Sequence, residues 1–238
     1  MFMKIVINPK YKILTSFIEN IPNIFAQEGT LVYEARNQLK SYNVEGYDII
    51  VKSFKRPHLL NRFVYTFFRP SKAKRSYEYA LKLLKKGIAS PEPIAYIEEK
   101  KGGLLNCSYY ISIFEKEYDH IRFYMNGDIK NDELLTQISQ FIAGFHDKGV
   151  YHLDMSPGNI LFKLNGDKYV FSLIDINRMK FKENLTEEER YQSFKRLSSN
   201  GEVLAFLARE YAKASGLNED KAVKNIKKAC SKFFKTDL

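Results

Sequence analysis

The amino-acid sequence predicts an α+β fold with two lobes, a β-rich first lobe and a small, mainly helical second lobe. Up to residue 116, apolar residues fall in short runs rich in β-branched and aromatic side chains, with one helical pattern among them. Beyond residue 116, apolar residues recur at helical spacing, except around one hairpin turn. We therefore predict one bilobal domain with lobes at residues 1–116 and 117–238. A chain of 238 residues, 45% of them hydrophobic, is long enough to bury a core.

The first lobe is predicted to contain a set of strands and one key helix. The strands are expected at residues 31–35, 39–44, 47–54, 94–97 and 109–114. The helix is expected over residues 71–86 because its apolar residues recur at helical spacing. Its apolar face would consist of Tyr77, Ala80, Leu81 and Leu84.

The second lobe is predicted to be helical apart from one hairpin. The hairpin strands are expected at residues 160–164 and 169–174, because Asn165-Gly166 between apolar runs favours a tight turn. Helices are expected at residues 133–146, 202–214 and 219–234. A further helix is expected to begin at Thr186, because Thr186 and Glu189 form a capping box. The last helix has an apolar stripe that either lies on a membrane or, the favoured alternative, packs on its own lobe.

Composition excludes several classes of protein. Two cysteines, Cys107 and Cys230, cannot form a disulfide framework or a four-ligand zinc site. The N-terminus lacks a signal-peptide pattern, and no run approaches the ~18–20 apolar residues of a membrane span. We expect a cytoplasmic protein, either soluble or peripheral on a membrane.

Positive charge is concentrated in one segment, residues 52–86. It holds eleven Lys and Arg and a single acid, Glu78, so it accounts for the whole net charge of +10. Such a field attracts nucleotide phosphates, nucleic acid or an acidic membrane surface. The alternative is a solvated helix face without a ligand.

A cluster of oxygen-bearing side chains indicates chemistry in the second lobe. Asp154 and Asn159 lie in YHLDMSPGNILF, and Asp175 follows the second hairpin strand. A hairpin that begins after this loop and returns Asp175 would bring the three side chains together. Mg²⁺ prefers such hard oxygen ligands, and a carboxylate away from the metal can accept the proton of a hydroxyl. A turn capped by polar residues is the alternative.

This order of motifs resembles the catalytic loop and metal-binding motif of the protein-kinase-like fold. The resemblance implies that Asp154 is the catalytic base and that Asn159 and Asp175 bind Mg²⁺. It implies that His152 is a packing residue that braces the loop. ATP and Mg²⁺ are the expected cofactors.

The same resemblance assigns a lysine and a glutamate in the first lobe. Lys52 interrupts the apolar strand IIVKSF, and Glu78 lies on the following helix, so the two would pair and direct the ammonium at the ATP phosphates. The alternatives are an outward-facing lysine and a surface salt bridge. No GxGxxG motif is present, and Arg36 in the turn after the first strand is either a phosphate contact or a surface residue.

Three departures separate the sequence from protein kinases. Leu153 stands where the catalytic loop has Arg, Ser156 where many have Lys, and Asn177 where the metal motif has Gly. Control through the loop arginine is therefore not expected, and Ser156 argues against peptide substrates.

A narrower resemblance comes from residues 69–99. The stretch RPSKAKRSYEYALKLLKKGIASPEPIAYIEE is similar to the lipopolysaccharide-core sugar kinases, the Kdo/heptose kinase family of Gram-negative bacteria. That family implies ATP-dependent phosphorylation of an inner-core sugar on a lipid-anchored acceptor at the cytoplasmic face of the inner membrane. The partners would be ATP, a lipopolysaccharide core sugar or other glycolipid, and an anionic membrane. Four engaged side chains would suffice for docking, at ~1 kcal/mol each, from among Arg56, Arg62, Arg69, Lys72, Lys74 and Arg75.

Two other functions remain open from the sequence. One is an atypical, RIO-like protein kinase whose basic segment contacts RNA; the other is a nucleotide-binding pseudokinase scaffold. Lys52, Asp154, Asn159 and Asp175 together argue against the scaffold. A nucleic-acid partner is not expected, because neither an RNP-type aromatic motif nor zinc-ligand spacing is present.

Overall fold

The computed structural model describes residues 2–238 and separates the chain into two compact units, divided between Lys116 and Glu117. Both units combine strands and helices, so the chain has a mixed α/β architecture. None of the helices within residues 2–238 is long and apolar enough to cross a membrane.

The first unit is built on one antiparallel sheet. Its elements are β1 (Phe2–Ile7), α1 (Thr15–Ile24), β2 (Thr30–Glu34), β3 (Gln38–Val44), β4 (Tyr47–Phe54), α2 (Leu59–Phe67), α3 (Lys72–Lys85), β5 (Pro93–Lys101) and β6 (Leu104–Ile113). The strand order is β1-β5-β6-β4-β3-β2, with every neighbouring pair antiparallel. The strands β4 and β6 are therefore the two central strands of the sheet.

The two faces of the sheet carry different helices because side chains alternate along each strand. On one face, Ile49 and Val51 of β4 pack with Ile18 and Ile21 of α1 in a buried apolar cluster. On the other face, a smaller cluster joins the sheet to α3 through Phe54, Ala73, Tyr77 and Tyr96. The Tyr77 and Tyr96 rings lie 5.4 Å apart. Lys52, two residues before Phe54, points to this second face.

The structure corrects the buried face predicted for α3. Tyr77 and Ala80 are buried as expected, whereas Leu81 and Leu84 are exposed and Leu83 is buried instead. The buried positions Ala73, Tyr77, Ala80 and Leu83 follow each other at intervals of four, three and three, which defines a single helical stripe. Leu81 and Leu84 lie beside that stripe.

The second unit has two small sheets and several helices. Its elements are β7 (Asp119–His120), α4 (Arg122–Asn126), α5 (Asp132–Asp147), β8 (Val150–His152), β9 (Ile160–Asn165), β10 (Lys168–Leu173), β11 (Met179–Phe181), α6 (Glu187–Ser193), α7 (Gly201–Ser215) and α8 (Glu219–Phe234). One sheet has the order β10-β9-β7, and the other pairs β11 with β8.

The last helix packs within its own unit. Ala222, Ile226, Ala229 and Cys230 of α8 are buried, and the Cys230 thiol donates a 3.3 Å hydrogen bond to the carbonyl of Phe194. Phe233 extends past this stripe and is exposed. The apolar stripe of α8 is therefore part of the core rather than a membrane-binding surface.

A buried histidine joins three helical segments of the second unit. His146 Nδ1 lies 2.8 Å from the Tyr211 hydroxyl, and Nε2 lies 2.9 Å from Ser193 Oγ. Burial, and to a lesser extent the charge of Arg190, lowers the pKa of His146 from 6.5 to about 3. The imidazole is therefore neutral in the folded protein at physiological pH.

We predict that the free energy of unfolding decreases as pH falls from about 6.5 toward 3. In this window the unfolded chain protonates His146 and the folded chain does not, so acid favours unfolding by up to ~1.4 kcal/mol per pH unit. Denaturant unfolding at several pH values measures the slope. His146→Gln should reduce the slope, while His58→Gln at an exposed site should leave it unchanged. An equal slope in all three proteins would contradict the assignment.

Candidate active site

The strand β8, which leads into the loop of Asp154, follows a backbone position that only glycine fits. Gly149, between α5 and β8, has φ +70°, and a Cβ there would collide with the carbonyl oxygen of Lys182. The Gly149 carbonyl accepts a 2.8 Å hydrogen bond from the Lys182 amide. The segments that follow Gly149 and precede Lys182 pair as β8 and β11. In this pairing Met179 stands opposite His152, the last residue before the loop.

His152 connects the loop to the end of β10. Its side chain is fully buried, Nδ1 accepts a 3.1 Å hydrogen bond from the Asp154 amide, and Nε2 lies 3.4 Å from the carbonyl oxygen of Ile174. Because Nδ1 accepts, Nε2 carries the proton and donates. Burial lowers the pKa of His152, which keeps the ring neutral for these two contacts. The bracing role expected for this residue matches the geometry.

Asn159 provides a second connection between the same segments. Its side-chain Nδ2 donates a 2.8 Å hydrogen bond to the Asp154 carbonyl, and its backbone carbonyl accepts a 3.0 Å bond from the Ile174 amide. Asp154, Asn159 and the residue before Asp175 are thus held in one hydrogen-bonded unit. The side-chain Nδ2 of Asn159 is used in the hydrogen bond to Asp154, so the side-chain Oδ1 is the atom suited to bind a metal.

Asp175 adopts a backbone conformation that is uncommon outside glycine. Its φ is +51°, in the left-handed region that Asp and Asn tolerate better than other side chains. Asn177 Nδ2 donates a 2.6 Å hydrogen bond to Asp175 Oδ1. Asn177, which replaces the glycine of the kinase motif, therefore orients the carboxylate.

Two arginines that the sequence analysis did not identify pair with Asp154. Arg178 Nη1 lies 3.2 Å from Oδ2, and Arg196 Nη1 contacts Oδ1, so each carboxylate oxygen has a guanidinium partner. Arg196 also lies over the Phe233 ring, 5.0 Å from its centre. Arg178 lies three residues after Asp175, so its closeness in sequence to a candidate site residue could have identified it. Arg196 belongs to the 3-10 helix Phe194–Arg196, and no sequence feature connects it with Asp154.

The donor set of the second unit fits Mg²⁺ better than a softer metal. Asn159 and Asp175 offer hard oxygen atoms, and Mg²⁺ retains several waters beside one or two protein ligands. Among residues 2–238, no group of three or more His, Cys, Asp and Glu side chains is arranged to hold a metal ion. A magnesium ion that also contacts substrate phosphates does not need such a group.

Lys52 lies in the first unit on the sheet face that α3 covers. It stands opposite Tyr110 of β6, and its Nζ is 5.5 Å from the centre of the Phe54 ring. Lys72, at the start of α3, places its Nζ 5.9 Å from the same ring. Two ammonium groups therefore lie around one aromatic side chain.

Glu78 lies on α3, whose ring contact between Tyr77 and Tyr96 anchors the helix to the same sheet face. Its Oε1 is 3.7 Å from Lys74 Nζ, one helical turn earlier. The pairing of Lys52 with Glu78 stays a prediction.

A basic pocket of about 280 Å³ lies next to Phe54 and Lys72. Arg36, from the turn between β2 and β3, lines it together with Lys55 and Arg56. The concentration of cations in one concave site is suited to a polyanionic group such as a phosphate chain. This places Arg36 at a pocket rather than on a featureless surface.

The structure removes two of the six candidates for membrane docking and leaves Arg56, Arg69, Lys72 and Lys74. Arg62 and Arg75 are buried. Arg62 Nε donates a 2.7 Å hydrogen bond to the Leu105 carbonyl, while the Arg75 guanidinium lies 6.0 Å from the Tyr65 ring and burial lowers its pKa. Neither side chain reaches a membrane surface, because both are used within the first unit.

Comparisons with known proteins identify the fold and the family of the chain. The solved structure of WaaP in complex with acyl carrier protein aligns with 97% of this chain and 99% of that chain, with a TM-score of 0.66 and 14% sequence identity, which shows a shared fold. The comparison with curated protein sequences gave no match. A family model described as lipopolysaccharide kinase (Kdo/WaaP) family matches residues 28–215. Since this match spans well over half of the sequence, the chain belongs to the lipopolysaccharide kinase (Kdo/WaaP) family.

Proposed function

We propose that the protein is an ATP-dependent kinase that transfers the γ-phosphoryl group to a hydroxyl of an inner-core lipopolysaccharide sugar, Kdo or heptose, or of a related glycolipid. The observation that carries the proposal is the hydrogen-bonded unit of Asp154, Asn159 and the segment leading to Asp175. Family membership favours this function over a RIO-like protein kinase or a pseudokinase scaffold. In this proposal residues 1–116 and 117–238 are the two lobes of a protein-kinase-like domain.

Asp154 is the proposed catalytic base. The acceptor hydroxyl oxygen forms a bond to the γ-phosphorus while the bond from that phosphorus to the β-γ bridging oxygen breaks, and ADP leaves. The hydroxyl proton passes to the Asp154 carboxylate, which needs to lie within hydrogen-bond reach of the acceptor. Its backbone hydrogen bonds with the side chains of His152 and Asn159 would fix the position from which it acts.

Asn159 and Asp175 are the proposed ligands of Mg²⁺. Mg²⁺ held by these two side chains would supply positive charge to neutralise the ATP phosphates. Asn177 holds the Asp175 carboxylate in place through its 2.6 Å hydrogen bond, so the ligand is oriented before the metal arrives.

Cations of the first unit are the proposed phosphate contacts. Lys52 and Lys72 lie around Phe54, and Arg36 lines the adjoining basic pocket. We propose that Lys52 contacts the ATP phosphates and that Glu78 orients its ammonium. Lys72 is an addition to the set predicted from the sequence as nucleotide-binding.

The proposed location is the cytoplasm, with peripheral association at the cytoplasmic face of the inner membrane. A lipid-anchored acceptor is presented at that surface. The excess of cations in residues 52–86 supports contact with an anionic surface.

We expect the protein to add one phosphate to underphosphorylated lipopolysaccharide in the presence of ATP and Mg²⁺. Mass analysis of the product, followed by fragmentation, identifies the sugar that carries the phosphate. A reaction without Mg²⁺ is the control. Phosphate transfer to co-incubated protein but not to lipopolysaccharide would contradict the proposal and favour the protein kinase alternative.

A further inference from the structure

The helix α2 is attached to its unit by polar side chains. Arg62 donates through Nε to the Leu105 carbonyl at 2.7 Å and through Nη2 to the Lys101 carbonyl at 3.2 Å. One helical turn later, the Thr66 hydroxyl accepts a 2.9 Å hydrogen bond from the Leu105 amide. The side of α2 that faces the protein is thus the hydrogen-bonding side, the reverse of an ordinary amphipathic surface helix.

The other side of α2 presents large apolar side chains to the surroundings. Six residues are between 39% and 84% exposed: Leu59, Leu60, Phe63, Val64, Phe67 and Phe68. The Phe63 ring lies 4.9 Å from that of Phe67 and 5.8 Å from that of Phe68, and the other three residues fall on the same side of the helix by their spacing. Contiguous apolar patches of this kind mark sites of interaction with a protein or a membrane. We call these six residues the α2 apolar face.

The charges around the α2 apolar face indicate what covers it. Lys55 and Arg56 precede the helix, Arg69 follows it, and all three are exposed. Glu78, on α3, is the single acid in residues 52–86. An apolar helix face bordered by cations is complementary to the surface of an anionic bilayer. The apolar side chains would contact the acyl chains, and the cations would contact the negatively charged headgroups above them. A second copy of this chain would instead bring two strongly positive segments together.

We propose that the α2 apolar face inserts into the interface of an anionic membrane, with Lys55, Arg56 and Arg69 on the lipid headgroups. Insertion would add an apolar contribution to electrostatic docking, for which Arg62 and Arg75 are unavailable because both are buried. The inference deepens the proposed function and rests on it for the lipid-anchored acceptor. Binding itself requires neither ATP nor acceptor, so it is measured independently of phosphoryl transfer.

The test is flotation of the full chain with vesicles of phosphatidylcholine alone or mixed with phosphatidylglycerol. We expect binding to the mixed vesicles, a residual salt-resistant fraction, and at least tenfold weaker binding for the double variant Leu60→Ser, Phe68→Ser. These two side chains are the most exposed of the face, so the fold should persist. Ile13→Ser and Phe123→Ser, exposed apolar residues elsewhere, are matched controls that should bind as the parent does.

Several outcomes would overturn the inference. Unchanged vesicle binding by the α2 double variant would show that another surface makes the contact. Absence of vesicle binding, together with α2-dependent dimerisation or α2-dependent binding of an acidic protein, would assign the face to a protein partner. Failure of the proposed function has a different signature, because parent and variant would then both lack phosphoryl transfer to a soluble core sugar while their vesicle binding still differed.

Discussion

Asp175→Asn is expected to abolish measurable phosphoryl transfer while leaving the protein folded. The substitution removes the negative charge that would hold Mg²⁺, and loss of a principal electrostatic contributor costs at least ~10²–10³-fold in kcat. In the parent, the Asn177 side-chain amide donates a 2.6 Å hydrogen bond to Asp175 Oδ1. An asparagine at position 175 keeps an Oδ1 atom to accept this bond and tolerates the φ of +51°. Turnover and thermal unfolding of parent and variant measure the two parts of this expectation.

The matched control for this variant is Asp167→Asn. Asp167 lies exposed at the tip of the β9–β10 hairpin, in the same supersecondary element but outside the candidate site. We expect parental turnover from it. Normal activity of Asp175→Asn, at any Mg²⁺ concentration, would disprove the assignment of Asp175 as a metal ligand.

Asp154→Asn is expected to lower kcat by ~10²-fold or more with ATP still bound. An amide cannot accept the proton of the acceptor hydroxyl, whereas nucleotide binding is assigned to other residues. The measurement is kcat with the lipopolysaccharide acceptor, accompanied by a separate titration of ATP and Mg²⁺.

The ion pairs of Asp154 require a second variant for interpretation. Asp154→Asn weakens the contacts with both Arg178 and Arg196, so part of its effect could arise from misplaced arginines. Arg178→Gln removes one such contact and keeps the carboxylate, and we expect a smaller loss in kcat from it. If Asp154→Asn instead eliminates ATP binding, Asp154 is a metal or structural residue and the base assignment fails.

Elements specified by local signals were predictable from the sequence. The β9–β10 hairpin follows from Asn165-Gly166, and the capping box that opens α6 is present as Thr186 and Glu189. The β-rich run at residues 47–54 also gave the bounds of β4. The three oxygen-bearing side chains of the second unit could be grouped because loop and hairpin are consecutive in the chain.

Features that depend on distant contacts were not predictable. β1 pairs with β5, far away in sequence, and α2 carries an apolar face that is exposed instead of buried. The charge pattern made Arg62 and Arg75 candidates for a docking surface, but both are buried. Arg196 reaches Asp154 across 42 residues, and nothing near either residue signals the contact.

The two guanidinium partners of Asp154 have a consequence for fidelity. Water is always the most abundant competing nucleophile in a kinase, and in the role proposed for it Asp154 would activate water as readily as a sugar hydroxyl. With one guanidinium on each carboxylate oxygen, an incoming hydroxyl has to share an Asp154 oxygen with an arginine or displace that arginine. If the acceptor is the acidic sugar Kdo of the proposed function, its anionic group would draw the arginines away, and the acceptor itself would release the base. ATP would then be conserved until the correct substrate arrives.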